Sequence, residues 1–202
     1  MLTPGPFLIK ILGEPQVQFT LAGKKAAILA ADGFNEHQMT EIQRALVKAK
    51  ADIKTVAPES AVVNGWQGDG WGHHFHVDSP IGETLGSDFD FLILPGGSRA
   101  ADKLKTNPHT KRIINHFIDA NKPVVAIAEG VSLLALAGKI AGRLVASPAA
   151  TRTELVAAGA TIGEDAQEQD GNLLTSNGDD LTAWVEEAIA FFAEAGQVKA
   201  AA

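Results

Sequence analysis

One carboxylate, Glu129, follows the sharpest break in the apolar pattern of the chain. The preceding run Val124–Ile127 is apolar and partly β-branched, which predicts a strand buried on both faces. The break covers residues 128–130, and an apolar run of helical character, residues 131–136, follows at once. A strand that turns this sharply into a helix presents the side chain at the bend, and the helix start behind it stabilises negative charge. This geometry suits a nucleophile, yet the bend carries Ala128 and Glu129.

Glu129 supports more than one interpretation. Beside a helix start in a pocket, it could act as a general base or accept a hydrogen bond from a polar ligand. Alternatively, it only caps and charges the helix start. Hydrolysis of the cysteine type is not expected, because a carboxylate is a poor substitute for a thiolate as an acyl acceptor. Ser132 lies too far beyond the bend to be a nucleophile, and the sequence places no histidine beside it.

A tight Pro-Gly-Gly-Ser turn, residues 95–98, ends another predicted buried strand, residues 89–94. The backbone N–H groups of such a turn could form an oxyanion hole or an anion nest beside the bend. The sequence therefore predicts a site for a small anionic or carbonyl ligand. The residues predicted to contact it are Gly96, Gly97, Ser98, Ala128, Glu129 and Gly130.

Two tryptophans, Trp66 and Trp71, lie among glycines in the segment 61–72. They could stack a planar ligand or a sugar. The alternatives are packing of a loop and burial at a subunit interface, because tryptophan is enriched in both settings.

Three histidines, His73, His74 and His76, form the only cluster that resembles a metal site. In a strand, His74 and His76 share a face with their Cα atoms about 7 Å apart, and Asp78 could be a third ligand. Two imidazoles are too few for a structural zinc site, which takes four ligands. Partly exposed histidines on an edge strand are the favoured interpretation, so no metal and no other cofactor is expected.

The composition limits the classes of partner. The 202 residues are 46% hydrophobic and 20% charged, which is typical of a globular domain, and no apolar run is long enough to cross a bilayer. The formal net charge of −7 argues against nucleic acid or an anionic membrane as the main partner. The sequence contains no cysteine, which excludes disulfides, thiolate metal sites and cysteine nucleophiles. The N-terminus lacks the pattern of a signal peptide, and we expect a cytoplasmic protein.

The periodicity predicts alternating strands and helices, and hence a mostly parallel sheet. Residues 1–23 are predicted to form an arm or hairpin, and residues 24–202 a single domain. The segment 61–78 is predicted to be a hairpin or excursion from the main sheet. The predicted strands are 25–31, 52–56, 89–94, 124–127, 143–146, 161–162 and 173–175. The predicted helices are 36–50, 100–105, 107–120, 131–136, 150–158 and 181–195.

Four stretches resemble the ThiJ/PfpI (DJ-1-like) superfamily, whose fold is flavodoxin-like and related to class I glutamine amidotransferases. They are residues 27–34 (AILAADGF), 89–97 (FDFLILPGG), 122–127 (KPVVAI) and 170–176 (DGNLLTS). They occur in the family's order and at its spacing, across roughly residues 24 to 195. The resemblance implies an α/β fold with a doubly wound, mostly parallel sheet flanked by helices on both faces. It also implies self-association as a homodimer or larger oligomer.

The hydrolase, glyoxalase or deglycase chemistry of this superfamily rests on a cysteine, typically within Ala-Ile-Cys-His-Gly. The matching stretch here is Ala126-Ile127-Ala128-Glu129-Gly130, so Ala128 replaces the nucleophile and Glu129 the histidine. The family also places a glutamate in the first strand–helix loop. Alignment around Phe34 puts that position at Asn35, followed by Glu36, and a third family acid corresponds to Asp102. Asn35 and Glu36 are therefore expected near a ligand. A Glu-Gly-Val bend is also similar to the C-terminal domain of large-subunit catalases.

Three hypotheses of different classes follow. The first is a non-catalytic family member that binds a small molecule, responds to stress or serves as a scaffold. The second is an enzyme that uses Glu129 with His37 or another histidine for hydration, isomerisation or glyoxalase-like chemistry without a thiol. The third is an assembly domain similar to the C-terminal domain of catalases. The first two hypotheses differ in whether Glu129 transfers protons or only contacts a ligand. The exposure of the apolar stretch 7–12 and the size of the oligomer bear on the third.

Overall fold

A computed structural model describes the backbone of residues 19–59 and 61–200 and the side chains up to residue 196. The predicted N-terminal arm lies mostly outside the described residues. Leu21, near the end of that stretch, is buried in the core, and its N–H donates to the carbonyl of Ala49. No helix among the described residues combines the length and apolarity required to span a bilayer.

The chain alternates strands and helices as the periodicity predicts. The strands are β1 Lys25–Leu29, β2 Phe34–Asn35, β3 Asp52–Ala57, β4 Val62–Gln67, β5 Gly70–His76, β6 Ser79–Pro80, β7 Phe91–Leu94, β8 Val124–Ile127, β9 Leu144–Val145, β10 Thr161–Ile162, β11 Gln167–Asp170 and β12 Leu173–Ser176. The α-helices are α1 Glu36–Lys48, α2 Ser98–Thr106, α3 Pro108–Asp119, α4 Leu133–Ala137, α5 Ala149–Ala157 and α6 Leu181–Ala200. Two 3-10 turns span Gly86–Asp88 and Ala128–Ser132.

The main sheet has seven strands in the order β11-β12-β8-β7-β1-β3-β6. All neighbours pair in parallel except β11 and β12. The interior strands β7, β8 and β12 are buried along their whole length, which explains their unbroken apolar or small-residue sequences. Because parallel strands end at one edge, the segments after β1, β7, β8 and β12 meet there, where open α/β sheets bind ligands. The predicted fold class is confirmed.

Helices cover the sheet with apolar side chains, so the core is continuous. In α6, the ring of Phe192 stacks on that of Phe91 in β7, with centroids 4.3 Å apart. Trp184 in the same helix is fully buried. Asp180 caps this helix, since its carboxylate accepts from the N–H of Ala183.

The Gly- and Trp-rich segment forms a separate three-stranded sheet, in the order β2-β4-β5. Strands β4 and β5 form the predicted hairpin, and their register shifts between Asn64 and Trp66. The inner face carries Val63, which is buried, and Phe75, whose ring lies edge-on to Phe34 at 5.1 Å. The hairpin therefore packs beside the N-terminus of α1, close to the bend after β8.

Three details differ from the prediction. The helix expected to follow β8 at once is a 3-10 turn that leads into the short α4. The 3-10 turn begins at Ala128, whose backbone is left-handed. Strands β9 and β10 pair with each other outside the main sheet, and the polar edge strand β11 was not predicted because it lacks an apolar alternation.

Candidate functional site

Ala128 is the bend between β8 and its helical turn. Its φ of 52° is left-handed, which costs a non-glycine residue about 1–2 kcal/mol. It is only 8% exposed and lies between two glycines. A Cβ atom on Gly96 would lie 3.0 Å from that of Ala128, and one on Gly178 would lie 3.1 Å from it. The bend thus retains the strained backbone of a nucleophile-bearing turn but carries only a methyl group.

The two glycine N–H groups of the turn after β7 are both hydrogen-bonded to side chains. The N–H of Gly96 donates to Oε1 of Gln38 at 2.8 Å. The N–H of Gly97 donates to Oε2 of Glu129 at 2.9 Å. The chain therefore supplies its own acceptors to the donors that were predicted to bind an anion.

Gln38 is the residue of the first strand–helix segment that reaches the bend, and sequence reasoning missed it. The aligned position, Asn35, instead caps α1 by accepting from the N–H of Gln38. Glu36 turns towards the β4–β5 hairpin. The helix register thus directs the side chain of Gln38 to the turn, whereas Asn35 contacts the turn through its backbone N–H, which donates to the carbonyl of Gly96 at 2.8 Å.

Glu36 binds the hairpin through both of its carboxylate oxygens. Oε2 accepts from the backbone N–H of His73 at 2.8 Å, and Oε1 lies 2.6 Å from Nδ1 of the same residue. The carboxylate fits between Gly65 and Gly72, since a Cβ atom on either would overlap Glu36. The side-chain hydrogen bond with His73 lowers the pKa of Glu36 below its ordinary value of 4.5; burial opposes this, and the backbone N–H and charge of His73 reinforce it.

We expect Glu36 to make stability depend on pH. A carboxyl group whose pKa is lowered in the folded state stabilises the protein above the unfolded value of 4.5, and this contribution is lost as the pH falls through the folded-state pKa. At pH 6, Glu36→Gln should lower the melting temperature by roughly 2–4 °C through the weakened hydrogen bonds. As the pH falls below 4.5 and through the folded-state pKa, the difference from the wild type should shrink progressively.

The measurement is thermal unfolding of both proteins between pH 3 and pH 7. Glu83→Gln is the matched control, because Glu83 is exposed and its side chain has no hydrogen bond among the described residues. A gap between Glu36→Gln and the wild type that is equal at all pH values would contradict the role of the carboxylate charge.

The outer face of the hairpin carries the two tryptophans. Their rings meet edge-on with centroids 5.3 Å apart, and the guanidinium of Arg99 lies 4.2 Å above the ring of Trp66. Trp71 remains 59% exposed. Its exposure does not fit the packing of a loop, and of the three interpretations it leaves stacking of a ligand and a subunit interface open.

Asp32 ties the hairpin to the end of β1. Its Oδ1 accepts from the backbone and side-chain nitrogens of Asn64, and its Oδ2 lies 3.0 Å from Nζ of Lys103. Burial alone would raise the pKa of Asp32, but the hydrogen bonds from Asn64 and Lys103 outweigh it and hold the pKa below the ordinary value of 3.8. The ion pair and hydrogen bonds fix the position of the hairpin relative to the main sheet.

The histidines are not arranged as a metal site. His74 lies opposite Asn64 and His76 opposite Val62 in the β4–β5 register, which puts both imidazoles on the outer face. Nδ1 of His74 is already bonded to the side chain of Asn64. Asp78 instead accepts from the N–H of Thr55. No group of three potential ligands surrounds a common point in the described part of the chain.

The other predicted residues do not add chemistry to the bend. Ser98 begins α2 and is exposed, and Asp102 and His37 are exposed on α2 and α1. The hydroxyl of Ser132 donates to the carbonyl of Glu129, so it stabilises the 3-10 turn. The side-chain atoms closest to a Cβ placed on Gly96 are Oε1 of Gln38, Oε2 of Glu129 and the methyl carbon of Ala128.

Residues 24–190 match the model of the DJ-1/PfpI family. Protein DJ-1 homolog D of Arabidopsis thaliana is 28% identical; the alignment covers 83% of this chain, which spans only about half (46%) of that relative. General stress protein 18 of Bacillus subtilis is 30% identical, with 83% of this chain and 97% of that protein aligned. Other matched relatives are named deglycases.

A solved structure from Anabaena variabilis, a two-domain protein with DJ-1/ThiJ/PfpI-like and ferritin-like domains, superposes with a TM-score of 0.77. The two chains are 25% identical, and the alignment covers 83% of this chain and 47% of the Anabaena chain. The sheet order and the bend after β8 thus occur in a fold that is shared with solved DJ-1/PfpI-like structures.

Proposed function

Since the chain belongs to the DJ-1/PfpI family and carries Ala128 at the position of the family's cysteine, we propose that it is a non-catalytic member that binds a small molecule at the bend. One observation carries the proposal. The carboxylate of Glu129 accepts the N–H of Gly97, the donor that an oxyanion would need. The site then lacks a nucleophile, and one oxyanion donor is already bonded. Neither attack by a thiolate nor stabilisation of the resulting oxyanion is therefore supported.

The amide of Gln38 agrees with the same proposal. A general base must accept a proton, and a carboxamide has no basic group at neutral pH. Gln38 also bonds to Gly96, the neighbouring donor of the turn. The position of the nucleophile thus carries a methyl group, the position of the base carries an amide, and both N–H donors of the turn are bonded to side chains. A relative named a general stress protein supports a stress-related role for such a binding module.

The test is turnover of methylglyoxal by the purified full chain, followed by the lactate formed. We expect the wild type to match the buffer background, and Glu129→Gln to match the wild type. Lactate formation by the wild type that survives in Glu129→Gln would overturn the proposal by revealing a different catalytic group.

A second candidate function is acid–base catalysis by Glu129 without a thiol. The observation that favours it is that Oε1 of Glu129 has no hydrogen-bond partner among the described residues and that this residue is partly accessible to solvent. Turnover that the wild type shows and Glu129→Gln loses would select this candidate over binding alone.

An assembly role is supported by a different feature. Trp71 is exposed on the outer face of the hairpin, as expected of a residue that packs against a second subunit. We infer self-association as a homodimer or larger. A monomeric mass in light scattering would remove this part of the proposal and leave the binding function standing.

A further inference from the structure

The bend presents one unpaired acceptor and one unpaired donor. Oε2 of Glu129 is held by Gly97, which leaves Oε1 without a partner among the residues that the structure describes. Oε1 of Gln38 is held by Gly96, and this fixes the amide orientation. Its NH₂ group has no hydrogen bond within the described part of the chain.

The two side chains that carry these groups, Gln38 and Glu129, end beside the same glycine of the turn. A Cβ atom on Gly96 would lie 2.6 Å from Oε1 of Gln38, 2.9 Å from Oε2 of Glu129 and 3.0 Å from the methyl of Ala128. Gln38 is only 7% exposed as a residue, but its Nε2 is not one of the fully buried side-chain atoms that lack a partner, so this donor is open to the solvent. A ligand that reaches the turn can therefore supply an acceptor to it.

The turn also presents a negative charge in place of the partial positive charge of free N–H groups. A turn of free N–H groups attracts anions, whereas here a carboxylate fills it. The nearby cations are engaged elsewhere: Arg99 stacks on Trp66, and Lys103 pairs with Asp32. A small carboxylate would therefore approach an uncompensated negative charge, which like-charge repulsion disfavours.

We propose that the bend binds a primary carboxamide and rejects the corresponding carboxylate. The ligand carbonyl accepts from the NH₂ group of Gln38, and the ligand NH₂ group donates to Oε1 of Glu129. The carbon chain of the ligand contacts the methyl of Ala128. This inference rests on the proposed binding function and names the ligand class of the same site, in place of the anion that the turn alone predicts.

The experiment is a titration of the ¹⁵N-labelled full chain with acetamide and, separately, with acetate, followed in ¹H–¹⁵N correlation spectra. We expect saturable shifts with acetamide at the amides of Gly96, Gly97 and Glu129, with a dissociation constant on the order of 10 mM for so small a fragment. Acetate should bind at least about tenfold more weakly.

Two variants separate the roles of the donor and the acceptor. Gln38→Glu keeps an oxygen for Gly96 but loses the NH₂ donor, and should weaken acetamide binding about tenfold. Glu129→Gln keeps the shape but removes the charge, and should reduce the preference for acetamide over acetate. Glu83→Gln, an exchange of the same type at an exposed position, should change the affinity for neither ligand. The dispersion of each spectrum reports whether the variant is folded.

The inference is overturned if acetamide gives no shifts up to about 200 mM, roughly twenty times the expected dissociation constant, if its shifts lie away from these amides, or if acetate binds the wild type equally well. Each of these results leaves the non-catalytic proposal intact, because that proposal depends on the absence of lactate formation. Conversely, turnover of methylglyoxal would defeat the proposed function whatever acetamide does.

Discussion

Replacing Gly130 by alanine is expected to destabilise the protein by about 3 kcal/mol, near the upper end for an overpacked site. A Cβ atom at this position would overlap the carbonyl oxygen of Leu94 and lie 2.5 Å from that of Pro95. Both are backbone atoms, so no side-chain rotation can relieve the contact. The 3-10 turn and the end of β7 would have to separate.

The separation would break the bend itself. Leu94 and Pro95 lead into the turn whose Gly97 N–H bonds to Glu129, and Glu129 is the residue before the substituted glycine. Moving the two segments apart by a few tenths of an ångström would therefore lengthen that hydrogen bond as well. The loss of a charge-assisted bond adds to the cost of the steric overlap.

Chemical denaturation and thermal melting measure the effect. For a chain of this size, the destabilisation corresponds to a melting temperature lowered by roughly 6–12 °C. Gly70→Ala is the matched control, because Gly70 also lacks a positive φ and a Cβ atom there would meet nothing within 4 Å. The control should change stability by less than about 0.5 kcal/mol. Equal stability of the two variants would show that the close approach of the turn to β7 is not required.

Hydrophobic periodicity was sufficient to predict most of the fold. In the helix from residue 36, the spacing of Met39, Ile42, Leu46 and Val47 predicts one buried face; the first three are fully buried in α1, whereas Val47 is 67% exposed. The apolar run 124–127 is the interior strand β8. Both signals arise from burial, which imposes a regular spacing on apolar residues. They can be detected in the sequence without knowledge of the tertiary contacts.

The candidate site was only partly predictable, because its contacts are between distant segments. Gln38 lies 58 residues from its partner Gly96, and no local pattern encodes that bond. One signal was nevertheless present. Gln38 precedes Ile42 by four residues, so a polar residue occupies the buried stripe of an amphipathic helix. Such a residue needs a partner, and the sharp turn after β7 was available to provide one.

The bond between Glu36 and the hairpin was unpredictable for a related reason. The glycines at 65 and 72 were visible as a loop-like composition, but their function is to leave room for one carboxylate. That requirement is apparent only once β4 and β5 are paired and placed beside α1. Composition thus located the hairpin, whereas its anchor depends on three-dimensional packing.

Ala128→Cys alone is expected to produce no lactate from methylglyoxal. The thiol would have no base, because the adjacent Gln38 is an amide, and one oxyanion donor would remain bonded to Glu129. The double variant Ala128→Cys/Gln38→Glu should also stay at background, since Gly97 is still occupied. Thiol chemistry requires the nucleophile, the base and the free donor together.

The triple variant Ala128→Cys/Gln38→Glu/Glu129→His should raise lactate formation roughly 100-fold above the wild-type background, the lower range for an added general base. Gln38→Glu/Glu129→His, which keeps Ala128, is the control and should remain inactive. Absorbance of the thiolate against pH, compared between Ala128→Cys and the triple variant, reports separately whether the substitutions at Gln38 and Glu129 change the pKa of the introduced thiol.

Robust turnover by Ala128→Cys alone would mean that the bend can support thiol catalysis without a glutamate at position 38. It would also mean that Glu129 does not block the N–H of Gly97 in solution. An inactive but folded triple variant would place the defect elsewhere in the site. The series therefore tests the self-bonded turn as the physical cause of inactivity, because each added substitution removes one named obstacle: the missing sulfur, the missing base and the occupied N–H of Gly97.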